Sequence, residues 1–452
     1  MDQTRKTVIY AAVAVVLAVI AWIASPSRIT PEAFMDQGEP FFADFTDPNA
    51  AQSLEIVSFD KETGTARPFK VHFKDGRWTI PSHHDYPADA RDRLARTAAG
   101  IIELKKDDFR TDSPADFDTL GVIDPLDESS PSINGRGTRV TVRGQNDVVL
   151  ADLIFGRDVP GRAGMKFVRQ PDQKRVYAVR ADVDLSGRFS DWIKTDLLEV
   201  TRGKVNRVEI NDYSINERTR RVEERDRITL ERTDIGAWKI NNLASGRALD
   251  TIAVDRLLGA LDSLAIVGVR PKPVGLSRSL TASSSEPISQ ADVLSLQSKG
   301  FYLGQDGQLL SNEGELKVLT DDGVAYTLRF GEVLFGAGDA LSAGVDGAEE
   351  SSGNGQESRY LFVTTTFDTK AFDEPPRPAN EEFRTKPDSL LSDDDRRNKE
   401  LSTEHDRWKS RVERGRRLSE DLNNRFADWY YVISADSFEK LKLDRQDLTM
   451  AK

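Results

Sequence analysis

The chain contains one phrase twice: "RVYAVRADVDL" at residues 175–185 and "WYYVISADSFE" at residues 429–439. Both phrases run from aromatic and hydrophobic residues into a small-acidic pair, and about 250 residues separate them. Repetition over such a distance indicates an internal repeat, which has to be recognised before any local pattern is interpreted. A repeat predicts that the segments before the two phrases also correspond.

The segments that precede the two phrases match in order. Each copy begins with a strand pattern, "SLEIVSFD" at 53–60 or "VNRVEIND" at 205–212, and reaches a tryptophan in a further strand, Trp78 or Trp238. A helix pattern beginning "DRL" follows, and its apolar residues have a 0, 4, 7 spacing that places them on one helical face. These residues are Leu94, Ala98 and Ile101 in the first copy and Leu257, Leu261 and Leu264 in the second.

Two strand patterns separated by polar turn residues follow the helix in each copy. They occupy residues 138–156 and 314–331, and Asn, Asp or Gly between alternating apolar runs is typical of a β-hairpin. The sequence therefore predicts an α+β protein with two tandem duplicated modules, residues 54–203 and 204–452. Each module is expected to be an antiparallel sheet covered by the "DRL" helix and by a short C-terminal helix that starts in the repeated phrase.

The N-terminal residues 8–24, "VIYAAVAVVLAVIAWIA", contain no charged side chain. As a helix they would span roughly 25 Å, which is close to the lower limit for crossing a bilayer. Arg5 and Lys6 precede the segment. This charge bias predicts a single-pass anchor in the cell membrane, with residues 1–7 in the cytoplasm, residues 25–53 as a linker and both modules extracytoplasmic.

A cleaved signal peptide is the alternative interpretation of this segment. Signal cleavage needs small residues one and three positions before the cut, and a cut after Ala24 would place the bulky Trp22 at the second of these positions. A cut after Ala21, with Val19 in that position, stays open. The unsuitable site after Ala24 favours an uncleaved anchor.

Composition limits the classes of function. The 452 residues include 63 Lys plus Arg and 75 Asp plus Glu, so the formal net charge is -12 and nucleic acid is not an expected partner. Cysteine is absent, which excludes disulfides, thiolate metal ligands and cysteine nucleophiles. The sequence contains no phosphate-binding Walker loop, no Gly-x-Ser-x-Gly elbow and no His-Glu-x-x-His motif. We therefore predict no catalytic residues, no cofactor and no metal.

Histidine offers the only candidates for a metal site. His83 and His84 are adjacent, and adjacent residues on a strand point to opposite faces, so they would not converge on one ion. His72 and His405 add no third ligand at a suitable spacing. The pattern therefore favours four structural or exposed histidines.

The second copy carries three insertions relative to the first. Residues 277–287 and 337–358 are small, polar and glycine-rich, which predicts flexible loops. Residues 368–428 are highly charged and contain an incomplete helical stripe of hydrophobic residues, weakened by Gly415. The stripe comprises Leu401, Trp408, Val412, Leu418, Leu422 and Phe426. It predicts either a helix folded against its own module or a helix that docks a partner protein.

Several motifs of the first module occur in a characteristic order. They are "DGRWTIP", the "DRL" helix, "LGVIDP" at 120–125, "LIFG", "VYAV" and "DWIKTDLLEV". In this order they resemble a bacterial family known as domain of unknown function 4340. The resemblance covers the first module nearly end to end and the second with its insertions, although "KPVGLSR" at 272–278 departs from the turn of the first copy. It implies a membrane-anchored protein associated with the auxiliary component of gliding-motility-type ABC transport systems, and it carries over no catalytic residue.

These observations predict a noncatalytic envelope protein that is anchored through residues 8–24 and acts as a scaffold or auxiliary subunit of an ABC-type transport system. The first alternative is a binding module for an envelope polymer, which requires a concave aromatic groove where Trp78, Trp238 or Trp408 is exposed. Equivalent placement of Trp78 and Trp238 in the two copies instead favours packing anchors. The second alternative is a hydrolase, which requires polar residues with perturbed pKa values that converge in one cleft.

Overall fold

The structure is a computed structural model. It describes residues 13–17, 36–216, 218–219, 221–282, 287–336, 341–344 and 356–451. The chain divides into two compact units: unit 1 comprises Met1–Ile80 and Ala88–Arg188, and unit 2 comprises Pro81–Pro87 and Phe189–Lys452. Antiparallel sheets and helices build both units, so the α+β prediction is confirmed. The module limits of 54–203 and 204–452 stay a prediction.

Unit 1 is built around one antiparallel sheet. In chain order, the elements up to residue 180 are β1 (Ser53–Asp60), β2 (Thr65–Lys74), β3 (Arg77–Ile80), β4 (Tyr86–Pro87, in the short segment of unit 2), α1 (Arg91–Ile102), β5 (Asp108–Thr111), α2 (Phe117–Leu120), β6 (Thr138–Arg143), β7 (Val149–Asp158), β8 (Met165–Arg169) and β9 (Val176–Arg180). The strand order within unit 1 is β3-β2-β1-β6-β7-β8-β9-β5. The hairpin predicted at 138–156 is β6 and β7, which pair antiparallel.

The apolar face predicted for the first "DRL" helix is buried. Leu94, Ala98 and Ile101 of α1 are each at most 1% exposed. Burying a Leu or Ile side chain contributes roughly 1.5–3 kcal/mol relative to leaving it in water. This face therefore holds α1 in the core of unit 1.

The short C-terminal helix predicted for the first module is wrong. Residues 181–188, which follow β9, contain no helix. The segment instead lies against α1: Thr97 donates from its hydroxyl to the carbonyl of Asp184 at 3.5 Å, and Arg93 forms an ion pair with the Asp184 carboxylate. These contacts with α1 favour an extended path over a helical turn at the repeated phrase.

Asp36, the first residue of the range 36–216, is hydrogen-bonded to the sheet of unit 1. The carboxylate of Asp36 accepts a hydrogen bond from the Tyr177 hydroxyl of β9 at 2.5 Å. Burial, together with this bond, raises the pKa of Tyr177 to about 12. Lys106 and Arg175 lie 3.5 and 3.4 Å from the same carboxylate. This cluster holds Asp36 against β9 and Lys106 of unit 1.

Only part of the predicted membrane segment lies among the described residues. Residues 13–17 are helical and exposed, and the rest of 8–24 lies outside them. Within the described ranges, no helix has the length and apolar character needed to cross a membrane. The membrane anchor and the localisation stay predictions.

Unit 2 contains a second large antiparallel sheet. From residue 205 onward its elements are β10 (Val205–Asn216), β11 (Arg221–Arg232), β12 (Trp238–Ile240), β13 (Arg247–Leu249), α3 (Thr251–Asp262), β14 (Gly268–Pro271), α4 (Gln290–Ser298), β15 (Phe301–Leu303), β16 (Leu309–Ser311), β17 (Glu315–Thr320), β18 (Val324–Gly336), β19 (Gln356–Phe367), α5 (Asp393–Phe426), β20 (Trp429–Ser434), α6 (Ala435–Leu441) and β21 (Thr449–Ala451). The strand order is β12-β11-β10-β17-β18-β19-β20-β14. Two small sheets pair β13 with β21 and β15 with β16.

The two large sheets have the same order of strands. Three strands in the order β3-β2-β1 in unit 1 correspond to the order β12-β11-β10 in unit 2. The hairpin that follows the helix occupies the next two places in each sheet. The strand directly after the "DRL" helix, β5 or β14, closes the opposite edge. In unit 2 the repeated phrase is β20 followed by α6, as the sequence predicts for the second copy.

The motif "DWIKTDLLEV" at 191–200 is part of the core of unit 2. Trp192, Leu197 and Leu198 are each at most 1% exposed. The backbone N–H of Leu197 donates to the carbonyl of Leu264 at 3.1 Å, directly after α3. The motif therefore packs the start of unit 2.

The first predicted flexible loop, 277–287, is ordered in part. Leu280 is 3% exposed and belongs to an apolar cluster with Phe301 and Phe362. The Ser277 hydroxyl accepts from the backbone N–H of Thr281 at 3.0 Å. The expectation of a flexible loop is wrong for residues 277–282, because a buried leucine fixes them, and residues 283–286 lie outside the described ranges.

The second predicted flexible loop, 337–358, is also ordered in part. Arg270 of β14 donates to the carbonyls of Leu341 and Ser342 at 3.0 and 3.1 Å. Residues 341–344 are therefore fixed by a guanidinium, which the composition of the loop did not indicate. Residues 356–358 belong to β19, and the remainder of the insertion lies outside the described ranges.

Candidate functional site

The connection that contains helix α5 distinguishes the sheet of unit 2 from the sheet of unit 1. It lies in the 368–428 insertion between β19 and β20, whereas residues 170–175 join β8 directly to β9. With 34 residues, α5 is about 51 Å long. The insertion thus adds a long helix to a sheet order that is otherwise shared.

The start of α5 is fixed by a capping box. Ser392 accepts from the backbone N–H of Asp395 through its hydroxyl, and the Asp395 carboxylate accepts from the backbone N–H of Ser392 at 3.0 Å. Hydrogen bonds from Ser392 and Lys386 lower the pKa of Asp395 to about 2. The carboxylate is therefore ionised at neutral pH and satisfies the first turn of the helix.

The inner face of α5 packs on β19 through polar as well as apolar contacts. Thr365 of β19 donates from its hydroxyl to the carbonyl of Ser419 at 2.8 Å, and its backbone N–H donates to the Asn423 side chain at 3.2 Å. Trp408 donates its indole N–H to the carbonyl of Phe372 at 3.2 Å. This face holds the helix against its own unit.

Gly415 allows the closest approach of α5 to the sheet. A Cβ atom at this position would overlap the carbonyl oxygen of Asp322 and lie 2.7 Å from a ring carbon of Phe367. No larger residue fits without moving the helix. The glycine that weakens the helical pattern in sequence is therefore required by packing.

The substitution Gly415→Ala is expected to destabilise unit 2 by about 1 to 2 kcal/mol. The destabilisation from overpacking is larger than the stability that alanine adds over glycine in a helix. Urea unfolding followed by tryptophan fluorescence measures this loss. Ser410→Ala, at an exposed position of the same helix, is the control and should change stability by less than about 0.5 kcal/mol. Equal stability of the two variants would contradict the close packing at Gly415.

The six residues of the predicted docking stripe differ in how far they are buried. Leu422 and Phe426 are buried, at 5% and 1% exposure. Leu401, Trp408 and Val412 are half-buried, and Leu418 is exposed. Two of the six are therefore unavailable to a partner while α5 is folded on unit 2. A docking role for the stripe stays a prediction.

Cationic side chains dominate the outer face in the middle of α5. Between residues 407 and 417 there are six cationic residues and one acidic residue, Glu413. All six cations are exposed: Arg407, Lys409, Arg411, Arg414, Arg416 and Arg417. We call this set the α5 basic face. It stands out in a chain whose formal net charge is -12.

A groove of about 710 Å³ runs beside the α5 basic face. Its lining includes Lys204, Asp321, Asp322, Phe372, Arg411, Arg414, Gly415, Arg417, Leu418 and Asp421. Lys204 pairs with Asp322 at 2.8 Å, and the Arg411 guanidinium lies 4.3 Å from the Phe372 ring centroid. Arg414 and Arg417 form no ion pair with any described residue. Two guanidinium groups therefore remain available at the groove.

The sequence predicted this helix and a docking role for its hydrophobic stripe, and the structure adds a set of exposed cations on the same helix. Hydrophobic spacing predicts the helix, and part of that stripe is buried against the sheet. The excess of cations at 407–417 was visible in the sequence, but only the packing shows that these residues face solvent.

The adjacent histidines lie in unit 2 and contact one short segment. His83 Nε2 is 2.9 Å from the Ser342 hydroxyl, and His84 Nε2 is 2.7 Å from the carbonyl of Ala343. His83 ends a 3-10 turn and His84 has a φ of 59°, so the strand geometry assumed for the pair is wrong. Across the described ranges, no group of three His, Asp or Glu side chains could hold a metal ion.

The His83–Ser342 contact has the residue types of a nucleophile and a base, but its setting is structural. His83 is 1% exposed, and its ring stacks on Phe189 with centroids 4.3 Å apart. The second ring nitrogen lies 2.9 Å from the Ser82 hydroxyl. Since a buried, stacked imidazole offers no access to a substrate, this contact does not support the hydrolase alternative.

Among the comparisons with known proteins, one family model matches part of the chain. No curated protein matches the sequence. No solved structure matches it. Residues 78–279, which begin at Trp78 in β3 and end after β14, match the family described as Domain of unknown function (DUF4340).

Proposed function

We propose that the protein is a noncatalytic, membrane-anchored scaffold that docks an acidic surface of a partner protein on the α5 basic face. The partner we expect is a subunit of an ABC-type transport system. The observation that carries the proposal is the set of six exposed cations on an inserted helix of an acidic chain. Clustered like charges on a surface attract a complementary partner and accelerate its encounter.

The chemistry of the groove favours carboxylates as the groups it binds. Arginine presents planar N–H donors that match a carboxylate in a bidentate geometry. Arg414 and Arg417 have this capacity available, and with Lys204 and Arg411 they outnumber the three aspartates of the lining, Asp321, Asp322 and Asp421. Asp322 is neutralised by Lys204. Leu418, 39% exposed, adds an apolar contact at the same place. A segment that carries both acidic and hydrophobic residues would satisfy these groups.

The shared strand order of the two sheets supports the proposal that one module was duplicated. Corresponding strands hold corresponding positions in both sheets, including the edge strand after each "DRL" helix. The insertion that contains α5 is present in only one of the two sheets. In this proposal the duplicated sheets form the frame and α5 is the added docking element.

Reversing the charge of two residues at the groove is expected to weaken binding of the partner protein. The double variant Arg414→Glu/Arg417→Glu replaces two unpaired cations with carboxylates that repel an acidic segment. We expect at least a tenfold loss, roughly 1.4 kcal/mol or more, in recovery of ABC-transporter subunits. Copurification of the full-length protein from its native membrane in mild detergent, with quantitative mass spectrometry, measures this loss.

A matched control uses the same helix and the same change in charge. Arg396→Glu/Arg397→Glu alters two exposed cations near the start of α5, outside the α5 basic face. This control should recover the transporter subunits as the unmodified protein does. Equal recovery by both double variants would refute docking at the groove, and failure of the unmodified protein to retain any transporter subunit would refute the expected partner.

A further inference from the structure

Unit 1 contains a second groove, of about 470 Å³, beside strands β2 and β3 of its sheet. Its lining comprises Pro48, Asn49, Ala51, Gln52, Phe73, Gly76, Trp78, Arg91, Leu94 and Ala95. We call it the Trp78 groove. Strands β2 and β3 supply one wall, helix α1 a second, and the 3-10 turn Pro48–Ala50 with the residues after it supplies a third.

Two aromatic side chains form an accessible platform in this groove. Phe73 and Trp78 are directly opposite each other on β2 and β3, and their ring centroids are 5.3 Å apart. Phe73 is 44% exposed and Trp78 is half-buried. The expectation that Trp78 serves only as a packing anchor is therefore too narrow, because part of its ring faces the groove.

The polar groups of the Trp78 groove are mainly donors. The Trp78 indole N–H, the Gln52 amide and the Arg91 guanidinium make no side-chain hydrogen bond or ion pair with other described residues. None of the described lining residues is acidic. A ligand that complements the groove has an apolar face, hydrogen-bond acceptors and a negative charge.

We propose that the Trp78 groove binds an acidic glycan. The apolar face of a sugar ring packs on Trp78 and Phe73, ring hydroxyl oxygens accept from Trp78 and Gln52, and a uronic acid carboxylate pairs with Arg91. Aromatic rings suit this task because they combine apolar area with a polar edge. The site is independent of the partner docking proposed for α5.

Isothermal titration calorimetry on the full-length protein in detergent tests the site with two hexamers of one sugar. One probe is the hexamer of galacturonic acid, and the other is its methyl ester, which has the same rings without the charge. We expect Trp78→Ala to weaken binding of the acidic hexamer at least roughly tenfold, as loss of a central tryptophan contact does. Trp238→Ala, in the corresponding strand of unit 2, should leave the affinity unchanged.

Two further variants separate ring packing from charge recognition. Phe73→Ala, at a more exposed position than Trp78, should weaken both hexamers, and it covers the case in which Trp78→Ala does not fold. Arg91→Gln should weaken the acidic hexamer and leave the methyl ester unaffected. Failure of the unmodified protein to bind the acidic hexamer would overturn the proposal, as would equal affinities for Trp78→Ala and Trp238→Ala.

Discussion

Acidification from pH 7 to pH 4 is expected to cost unit 2 about 3 kcal/mol of stability through His83 alone. Burial of the ring, together with the nearby positive charges of His84 and Arg270, lowers the pKa of His83 from 6.5 to about 4. The difference between these two pKa values corresponds to about 3 kcal/mol. The magnitude reflects a side chain that is 1% exposed.

The direction of the effect follows from which state binds the proton. Between pH 6.5 and about 4 the unfolded chain protonates His83, while the folded protein keeps the ring neutral. Stability is therefore complete above pH 6.5, falls as the pH drops through this window and loses nothing more from His83 below about pH 4.

Urea unfolding at a series of pH values measures this dependence. Trp192, Trp238, Trp408 and Trp429 all lie in unit 2, so tryptophan fluorescence reports mainly on this unit. The control is His83→Gln, which cannot titrate in this range but shares every carboxylate with the unmodified protein. We expect the stability difference between the two proteins to shrink by about 3 kcal/mol between pH 7 and pH 4. A difference that does not change with pH would show that His83 is not held neutral.

The second large effect is expected at Gly331, the last residue of the repeated hairpin pattern. A Cβ atom there would overlap the carbonyl oxygen of Lys299, which follows α4, and lie 2.7 Å from the Phe301 ring. Gly331→Ala should therefore destabilise unit 2 by about 3 kcal/mol, the upper part of the usual range for overpacking. Backbone atoms block the new methyl group, so rotamer changes cannot relieve the overlap.

Gly156→Ala, at the corresponding position of unit 1, is expected to destabilise unit 1 for the same reason. A Cβ atom on Gly156 would lie 2.5 Å from the carbonyl oxygen of Leu120, at the end of α2.

Amide hydrogen exchange resolved by peptide measures the stability of each unit separately. Gly259→Ala is the control, because a Cβ there meets no neighbouring atom and alanine favours the helix by up to about 1 kcal/mol. If Gly331→Ala were as stable as the unmodified protein, the close contact with Lys299 would be refuted.

The sequence predicted the fold class and most elements because burial of one face requires apolar residues at regular spacings along the chain. Alternating apolar residues gave the hairpins, and the 0, 4, 7 spacing gave the buried face of α1. In the second copy it gave Leu257 and Leu261 of α3, whereas Leu264 is buried but follows the helix, which ends at Asp262. The helix predicted after residue 180 failed, because its contacts with α1 come from residues about 90 positions earlier in the chain. Local pattern contains no information about such contacts.

For the candidate sites, the sequence predicts less than it does for the fold, because a helical stripe does not show which of its residues are accessible. Sequence located α5 from its hydrophobic stripe, yet Leu422 and Phe426 face the sheet and the exposed cations form the accessible surface. A hydrophobic residue on a helix is equally compatible with a core and with a docking face. Only burial distinguishes the two cases.

The amino-acid sequence by itself determined the α+β class, the acidic charge and the absence of cysteine chemistry, and it predicted a repeated pattern of strands and helices. These properties depend on composition and on spacing between near neighbours. The tertiary structure alone decided the strand order of the sheets, the burial of His83, the close contacts of Gly331 and Gly415, the partial burial of Trp78 and the exposure of the α5 basic face. Each of these depends on residues distant in sequence, whose meeting is fixed by packing of the whole unit.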